Sequence, residues 1–276
     1  MNDIIYLSNF LLSDKKVNNP NIYPYNVFSE KTENLFLFQP ITVLYGDNAS
    51  GKSTLLNIIA NKLDLAGKEG TAWSAKYFSY FVDECSYELG EDESGKQFKN
   101  IPEGSKYIKS EDILYEIKKI QQEKILAEGY VYEHAKKGMS KSELEMLRSS
   151  KKMFEQMEFM KFAQEKYSNG ETTLQILDDY LEPDALYLLD EPEVSLSHAN
   201  QVMLAEKINQ MTRLLKCQFI ISTHSPFMLG TLNAKIYNLN SKDFNAVKWT
   251  ELESVRYTYD FFDRHRYEFD DNYTGL

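Results

Sequence analysis

Gly46-Asp47-Asn48-Ala49-Ser50-Gly51-Lys52-Ser53-Thr54 follows directly on the apolar run Ile41-Thr42-Val43-Leu44-Tyr45. It opens a stretch, Lys52 to Lys62, with Leu55, Leu56, Ile58 and Ile59 at helical spacing. Large and β-branched residues that stop at a glycine predict a buried strand, so the order is strand, turn, helix. In that context the nonapeptide fits G-x-x-x-x-G-K-[ST], a phosphate-binding loop. Gly46 and Gly51 let the backbone wrap closely around phosphate oxygens, because glycine tolerates positive φ and carries no Cβ. The successive N–H groups and the helix N-terminus, equivalent to about half a positive charge, then face the anion. Lys52 is expected to reach the terminal phosphates and the Ser53 hydroxyl to ligate Mg2+, with Asp47, Asn48, Ala49, Ser50 and Thr54 completing the cradle.

Two further buried strands are predicted, Ala185 to Leu189 and Gln218 to Ser222, separated by a helical stretch around Gln201 to Leu215. This rhythm implies a largely parallel α/β sheet with helices on its faces. Glu111 to Lys166 is rich in Glu, Lys, Gln, Met and Leu and has no proline; it reads as a helical lobe inserted in the core over about 108–182. Lys68 to Gly104 reads as irregular strands and an exposed loop, and no fold is legible beyond Val247. One α/β domain spanning 1–276 is the expectation.

The second predicted strand ends in Asp190-Glu191, where such sheets expose their carboxyl ends to ligands. Asp190 can hold Mg2+ through water, and Glu191 can polarise an attacking water as general base. The third strand runs out into Thr223-His224-Ser225-Pro226. A strand-end histidine often serves packing alone, but this one stands in the βα unit after Asp190, where it can bond a γ-phosphate and the attacking water. Tyr167-Ser168-Asn169-Gly170-Glu171 closes the helical stretch and precedes another amphipathic run. Ser168 can cap that helix and Gly170 can open its N–H groups, which makes a second phosphate-binding surface. A chain that already has one such cradle has use for a second if it serves the nucleotide of another copy.

Composition narrows the classes. With 42 acidic and 31 basic residues the formal charge is −11, and this field repels polyanions, so nucleic-acid contact is possible but not indicated. No apolar run approaches the ~20 residues that span a bilayer, and Asp3 stands where a secretory signal has basic residues, so a cytoplasmic protein without membrane insertion is expected. Cys85 and Cys217 lack CxxC spacing and indicate neither a disulfide framework nor zinc.

Taken in order, GDNASGKST, YSNGE, YLLDEPE and THSP resemble the Walker A, signature, Walker B and switch-histidine motifs of the ABC ATPase superfamily. More narrowly the chain resembles small stand-alone ATPases related to the heads of repair and chromosome-maintenance proteins. The resemblance implies a P-loop fold of the ABC type, a largely parallel sheet with flanking antiparallel strands and an inserted helical lobe. It implies ATP and Mg2+ as cofactors and a homodimer that closes on ATP. Lys52, Ser53, Asp190, Glu191 and His224 of one copy would then face Ser168 and Gly170 of the other. Hydrolysis coupled to a protein or nucleic-acid process, in repair or antiphage defence, with an unidentified protein partner, is the function implied.

Three departures mark this sequence: Ala49 replaces a glycine common in the loop, Ser195-Leu196-Ser197 has serine where transporter subunits have aspartate, and no Q-loop glutamine stands out, leaving Glu111 as candidate. The last two weigh against the alternative, the ATP-binding subunit of a membrane transporter. A GTPase would need an NKxD element, which is missing, and a P-loop kinase would leave YSNGE and His224 without a role. Tyr23 and Tyr25 are candidates to stack on adenine.

Overall fold

The computed structural model describes residues 4–19, 21–69, 76–112 and 181–269. The chain clusters into two compact units. The first takes Met1–Lys109, Glu182–Val194 and Gln201–Leu276; the second takes Ser110–Leu181 and Ser195–Asn200. The helical lobe expected at about 108–182 falls almost wholly outside the described residues, and so do Ser168 and Gly170.

Six strands form the main sheet of the first unit: β3 (Ile41–Tyr45), β5 (Lys106–Lys109), β6 (Leu186–Asp190), β7 (Gln218–Ser222), β8 (Lys235–Asn238) and β9 (Ala246–Val247). Their order is β5-β6-β7-β3-β8-β9. All neighbours pair in parallel except β8 and β9. Every residue of β3, β6 and β7 is buried, as expected where helices cover both faces of a parallel sheet. A smaller antiparallel sheet, order β2-β1-β4, joins β1 (Leu7–Leu11), β2 (Leu35–Leu37) and β4 (Ser86–Leu89). The fold is thus mixed α/β with a mostly parallel central sheet and antiparallel strands beside it.

One buried side chain ties the two sheets together. Gln218, at the start of β7, accepts from the main-chain N–H groups of Tyr6 and Leu7 at 2.8 Å each. It also donates to the carbonyls of Leu7 and Gln39 at 2.9 and 3.3 Å. A buried amide that fills its capacity in this way replaces water for backbone groups that no strand partner serves.

Helix α2 (Lys52–Lys62) has the bounds its apolar spacing predicts, and Leu55, Leu56, Ile58 and Ile59 are all buried. Gly51 is its N-cap, at φ 98°, and no side chain caps the first turn. Short α1 (Tyr25–Phe28) crosses above it, where a Cβ on Gly51 would meet Val27 Cγ1 at 2.6 Å. Gly51 is therefore fixed by its backbone and by its neighbour together.

In two places the structure differs from the sequence reading. Lys76–Glu84 is a helix, α3, where irregular strands were expected; Phe78, Phe81 and Val82 recur at helical spacing and are its buried face. Aromatic and β-branched residues have weak helix preference, and packing decides the conformation. Beyond Val247 the chain forms a 3-10 turn (Trp249–Glu251) and helix α6 (Glu253–Arg264), which buries only Val255. The remaining described helices are α4 (His198–Leu214), α5 (Pro226–Thr231) and a second 3-10 turn, Arg266–Phe269.

Candidate functional site

The parallel register aligns the carboxyl ends of the strands: Asp190 pairs with Ser222, Leu44 with Ser222, and Tyr45 with Asn238. Loops that leave these ends therefore meet, which is where open α/β sheets bind ligands. The loop 46–51 leaves β3, Glu191 to Glu193 leave β6, and Thr223 and His224 leave β7.

Lys52 lies at the centre. Its side chain is 4% exposed, and Nζ donates to the carbonyls of Gly46 at 2.8 Å and Asp47 at 3.1 Å. The third donor of the ammonium is 2.6 Å from His224 Nε2. That pairing needs a bare Nε2, hence a neutral imidazole with its proton on Nδ1. Burial first, and then the Lys52 charge, lower the His224 pKa. Burial likewise lowers the Lys52 pKa, while Glu191, Asp190, Glu193 and Asp47 pull it back up. Glu191 Oε1 completes the cluster, 3.4 Å from His224 Nε2 and 3.8 Å from Lys52 Nζ.

Three of the residues named in advance as chemical are thereby brought together from three different strand ends. Ser53 is exposed in the first turn of α2, whereas Asp190 is buried at the end of β6. Asp190 Oδ1 accepts from the Ser222 hydroxyl and Oδ2 from Tyr107 Oη at 3.2 Å. The N–H of Glu191 donates to the Ser222 carbonyl at 3.1 Å and its hydroxyl at 3.0 Å. Glu191 itself is held at φ 48°, a conformation that costs a non-glycine residue on the order of 1–2 kcal/mol. Such strain concentrates where a side chain must be aimed.

The loop itself is braced from the turn that follows β8, since the N–H of Asp47 donates to Asn240 Oδ1 at 2.8 Å. Asp47, Asn48 and Ala49 are exposed, and the Ser50 hydroxyl is buried without a hydrogen-bond partner among the described residues. Ala49 adopts φ 66°, so the position where a glycine is common does demand the left-handed region. Thr54 Oγ1 accepts from Tyr23 Oη at 3.4 Å. Tyr23 is 48% exposed and stacks on Phe78, whereas Tyr25 is a core residue bonded to Glu84. Glu111 is exposed.

Several members of this cluster were not picked out from the sequence. Ser222 and Tyr107 orient Asp190, Asn240 braces the loop, and Glu193 bonds to the turn that carries His224. Only Glu193 had a local signal, a third carboxylate just past Asp190-Glu191. Tyr107 acts from β5 and Asn240 from the turn after β8, and the adjacency of these strands is a matter of sheet order.

Residues 105–230 match the family model described as "AAA domain, putative AbiEii toxin, Type IV TA system". That stretch holds β5, β6, α4, β7 and most of α5, and it lies downstream of the loop 46–51. No curated protein matches the chain. Among solved structures, the SMC head domain of Pyrococcus furiosus, bound to the C-terminal domain of ScpA, is 14% identical, with 95% of this chain and 99% of that one covered and a TM-score of 0.42. A bacterial ABC transporter cassette in dimeric form is 14% identical, covering 89% and 99%, with a TM-score of 0.43. The SMC head domain of Thermotoga maritima is 13% identical, covering 85% and 94%, with a TM-score of 0.42. Among the described residues no helix is long and apolar enough to cross a membrane.

Proposed function

We propose that this ABC-type chain binds ATP with Mg2+ and hydrolyses it between two copies of itself. The observation that carries the reading is the meeting of Lys52, Glu191 and His224 within 2.6 to 3.8 Å at the carboxyl edge of a parallel sheet, beside an uncapped helix N-terminus. An ammonium, a carboxylate and a neutral imidazole in such a group are suited to bind a terminal phosphate and to take a proton from water.

The fit of the metal can be judged from the donor set. Among the described residues no three His, Cys, Asp or Glu side chains could hold a metal ion by themselves. Mg2+ bound to a nucleotide asks less: one or two protein oxygens, with waters and phosphate oxygens filling the octahedron. Ser53 offers an exposed hydroxyl, and Asp190, fixed by Ser222 and Tyr107, a carboxylate for a water-mediated contact. Bound there, Mg2+ neutralises charge that develops on the phosphate oxygens.

In this reading Lys52 exchanges its hydrogen bonds to the Gly46 and Asp47 carbonyls for phosphate oxygens. The N–H groups that open α2, from Lys52 to Thr54, line the same anion, and the exposed ring of Tyr23, next to Thr54, offers a face to adenine. Glu191 orients the attacking water and accepts its proton, and His224 donates from Nδ1 or accepts at Nε2 according to whether a γ-phosphate draws Lys52 away. Ser168 and Gly170 of a second copy close the other side.

The biological output follows less directly. The family description, a putative toxin of a toxin–antitoxin system, supports antiphage defence ahead of repair. The deciding experiment is ATP turnover by the purified chain, with Lys52→Ala as control. Mg2+-dependent hydrolysis that this variant loses is expected, and turnover unaffected by it would overturn the reading.

A further inference from the structure

Glu193 follows the Asp190-Glu191 pair across Pro192, and its carboxyl group is buried against the exit of β7. Oε1 accepts two hydrogen bonds, from Thr223 Oγ1 at 2.6 Å and from the main-chain N–H of His224 at 2.8 Å. Thr223 Oγ1 accepts in turn from the N–H of Ser225 at 3.1 Å. Ser225 caps α5 through the N–H of Met228 and donates to Gln201 at 2.6 Å. The turn that presents His224 is thus wired at each residue, and one end of the wiring is Glu193. Oε2 is buried and has no hydrogen-bond partner among the described residues. Burial pushes the carboxyl pKa up, against the pull of its two donors. A buried acid left half satisfied costs stability, so its presence calls for a role that an apolar residue could not fill.

We propose that Glu193 is a positioning residue for His224, clamping the Thr223–His224 turn to the segment that carries Asp190 and Glu191. The strands themselves bond only as far as Asp190 and Ser222, with one more tie from Glu191 N–H to Ser222. Past that point the two chains part, and Glu193 carries the next connection between them. Without it the imidazole is free to leave Lys52 and Glu191, and a misplacement of 1 Å costs on the order of 100-fold in rate. Both bonds end on one oxygen that only accepts. The amide oxygen of glutamine can do the same, whereas a Glu193 that worked by charge or by proton transfer could not be replaced so.

This inference rests on the hydrolytic reading of the site for its consequence, but not for its test. Glu193→Gln and Glu193→Ala are compared with wild type, with Glu193→Met, of similar length, standing in if the alanine variant melts below the assay temperature. In ATP turnover the alanine variant is expected to lose on the order of 10- to 100-fold in kcat with the affinity for a fluorescent ATP analogue unchanged, and the glutamine variant to stay near wild type. Independently, histidines are 13C-labelled and the His224 ring signal assigned by its loss in His224→Gln. That signal is expected to move in the alanine variant and to stay in the glutamine variant. An alanine variant with full rate and an unmoved ring signal overturns the clamp, as does a glutamine variant that fails as badly as alanine. Should the wild type turn over no ATP at all, the hydrolytic reading falls alone, because the ring signal still decides whether Glu193 holds His224.

Discussion

Lys52 Nζ stands 2.6 Å from Nε2 of His224, although 172 residues separate the two, one opening α2 and the other leaving β7. The contact makes the two groups share one hydrogen: the lysine carries it and the histidine accepts it. A protonated His224 would face the ammonium with a second positive charge, and for that reason, with burial, its pKa lies below the ordinary value.

A pH dependence follows. Because the folded protein binds this proton less readily than the unfolded chain does, stability is fully present above the ordinary histidine pKa of about 6.5 and declines as pH falls below it. His224→Gln should flatten that decline in thermal melts across the acid range. If the slope is unchanged, the imidazole is not the group responsible. For the same reason the acid limb of ATP turnover should fall below about pH 6.5, where a free imidazole is already charged.

Glu191→Gln removes the proposed base and keeps its size. A loss of about 10²- to 10⁴-fold in kcat is expected, with ATP still bound. Light scattering after chromatography with ATP and Mg2+ should then show a dimer that persists. A variant that remains monomeric under saturating nucleotide contradicts the two-copy reading.

Ala49 occupies the left-handed region at φ 66° while exposed in the loop. Ala49→Gly relieves that conformation, and the gain, reduced by the added freedom of glycine when unfolded, should be roughly 0.5–1 kcal/mol in denaturant melts. A destabilised variant would mean that the Ala49 methyl makes contacts of more value than the relief.

Gln218 serves four backbone groups inside the core. Gln218→Leu leaves them unpaired, and a loss of about 3 kcal/mol or more is expected in urea unfolding, since each buried orphan costs roughly 1–3 kcal/mol. A loss below about 1 kcal/mol would show that water or a shifted β1 takes over.

Tyr107→Phe deletes one of the two described hydroxyls on Asp190. The expected effect is a weaker Mg2+ requirement curve, with half-activation at higher metal concentration and little change in melting temperature. An unaltered metal titration would leave Ser222 as the sole orienting group that matters.

How much of this was legible beforehand varies by residue. The bounds of β3, α2 and β7 coincide with those read from apolar spacing, because β3 and β7 are buried along their whole length and α2 over the unbroken run Leu55 to Ala60. Helix α3 was missed, since Phe78, Phe81 and Val82 favour strand or helix according to what they pack against. Ser168 and Gly170 lie outside the described residues.

By itself the sequence determined the strand–turn–helix around residues 46–54, the parallel strand–helix rhythm and the places of Lys52, Asp190, Glu191 and His224 beside strand ends, because all of these are local patterns within a short run of residues. Only the tertiary structure decided which groups aim those side chains: Ser222 and Tyr107 on Asp190, Asn240 on the loop, Glu193 on the turn of His224. The reason is sheet order. Placing β7 between β6 and β3, with β8 on the far side of β3, brings distant strand ends within hydrogen-bond reach, and no spacing along the chain encodes that adjacency.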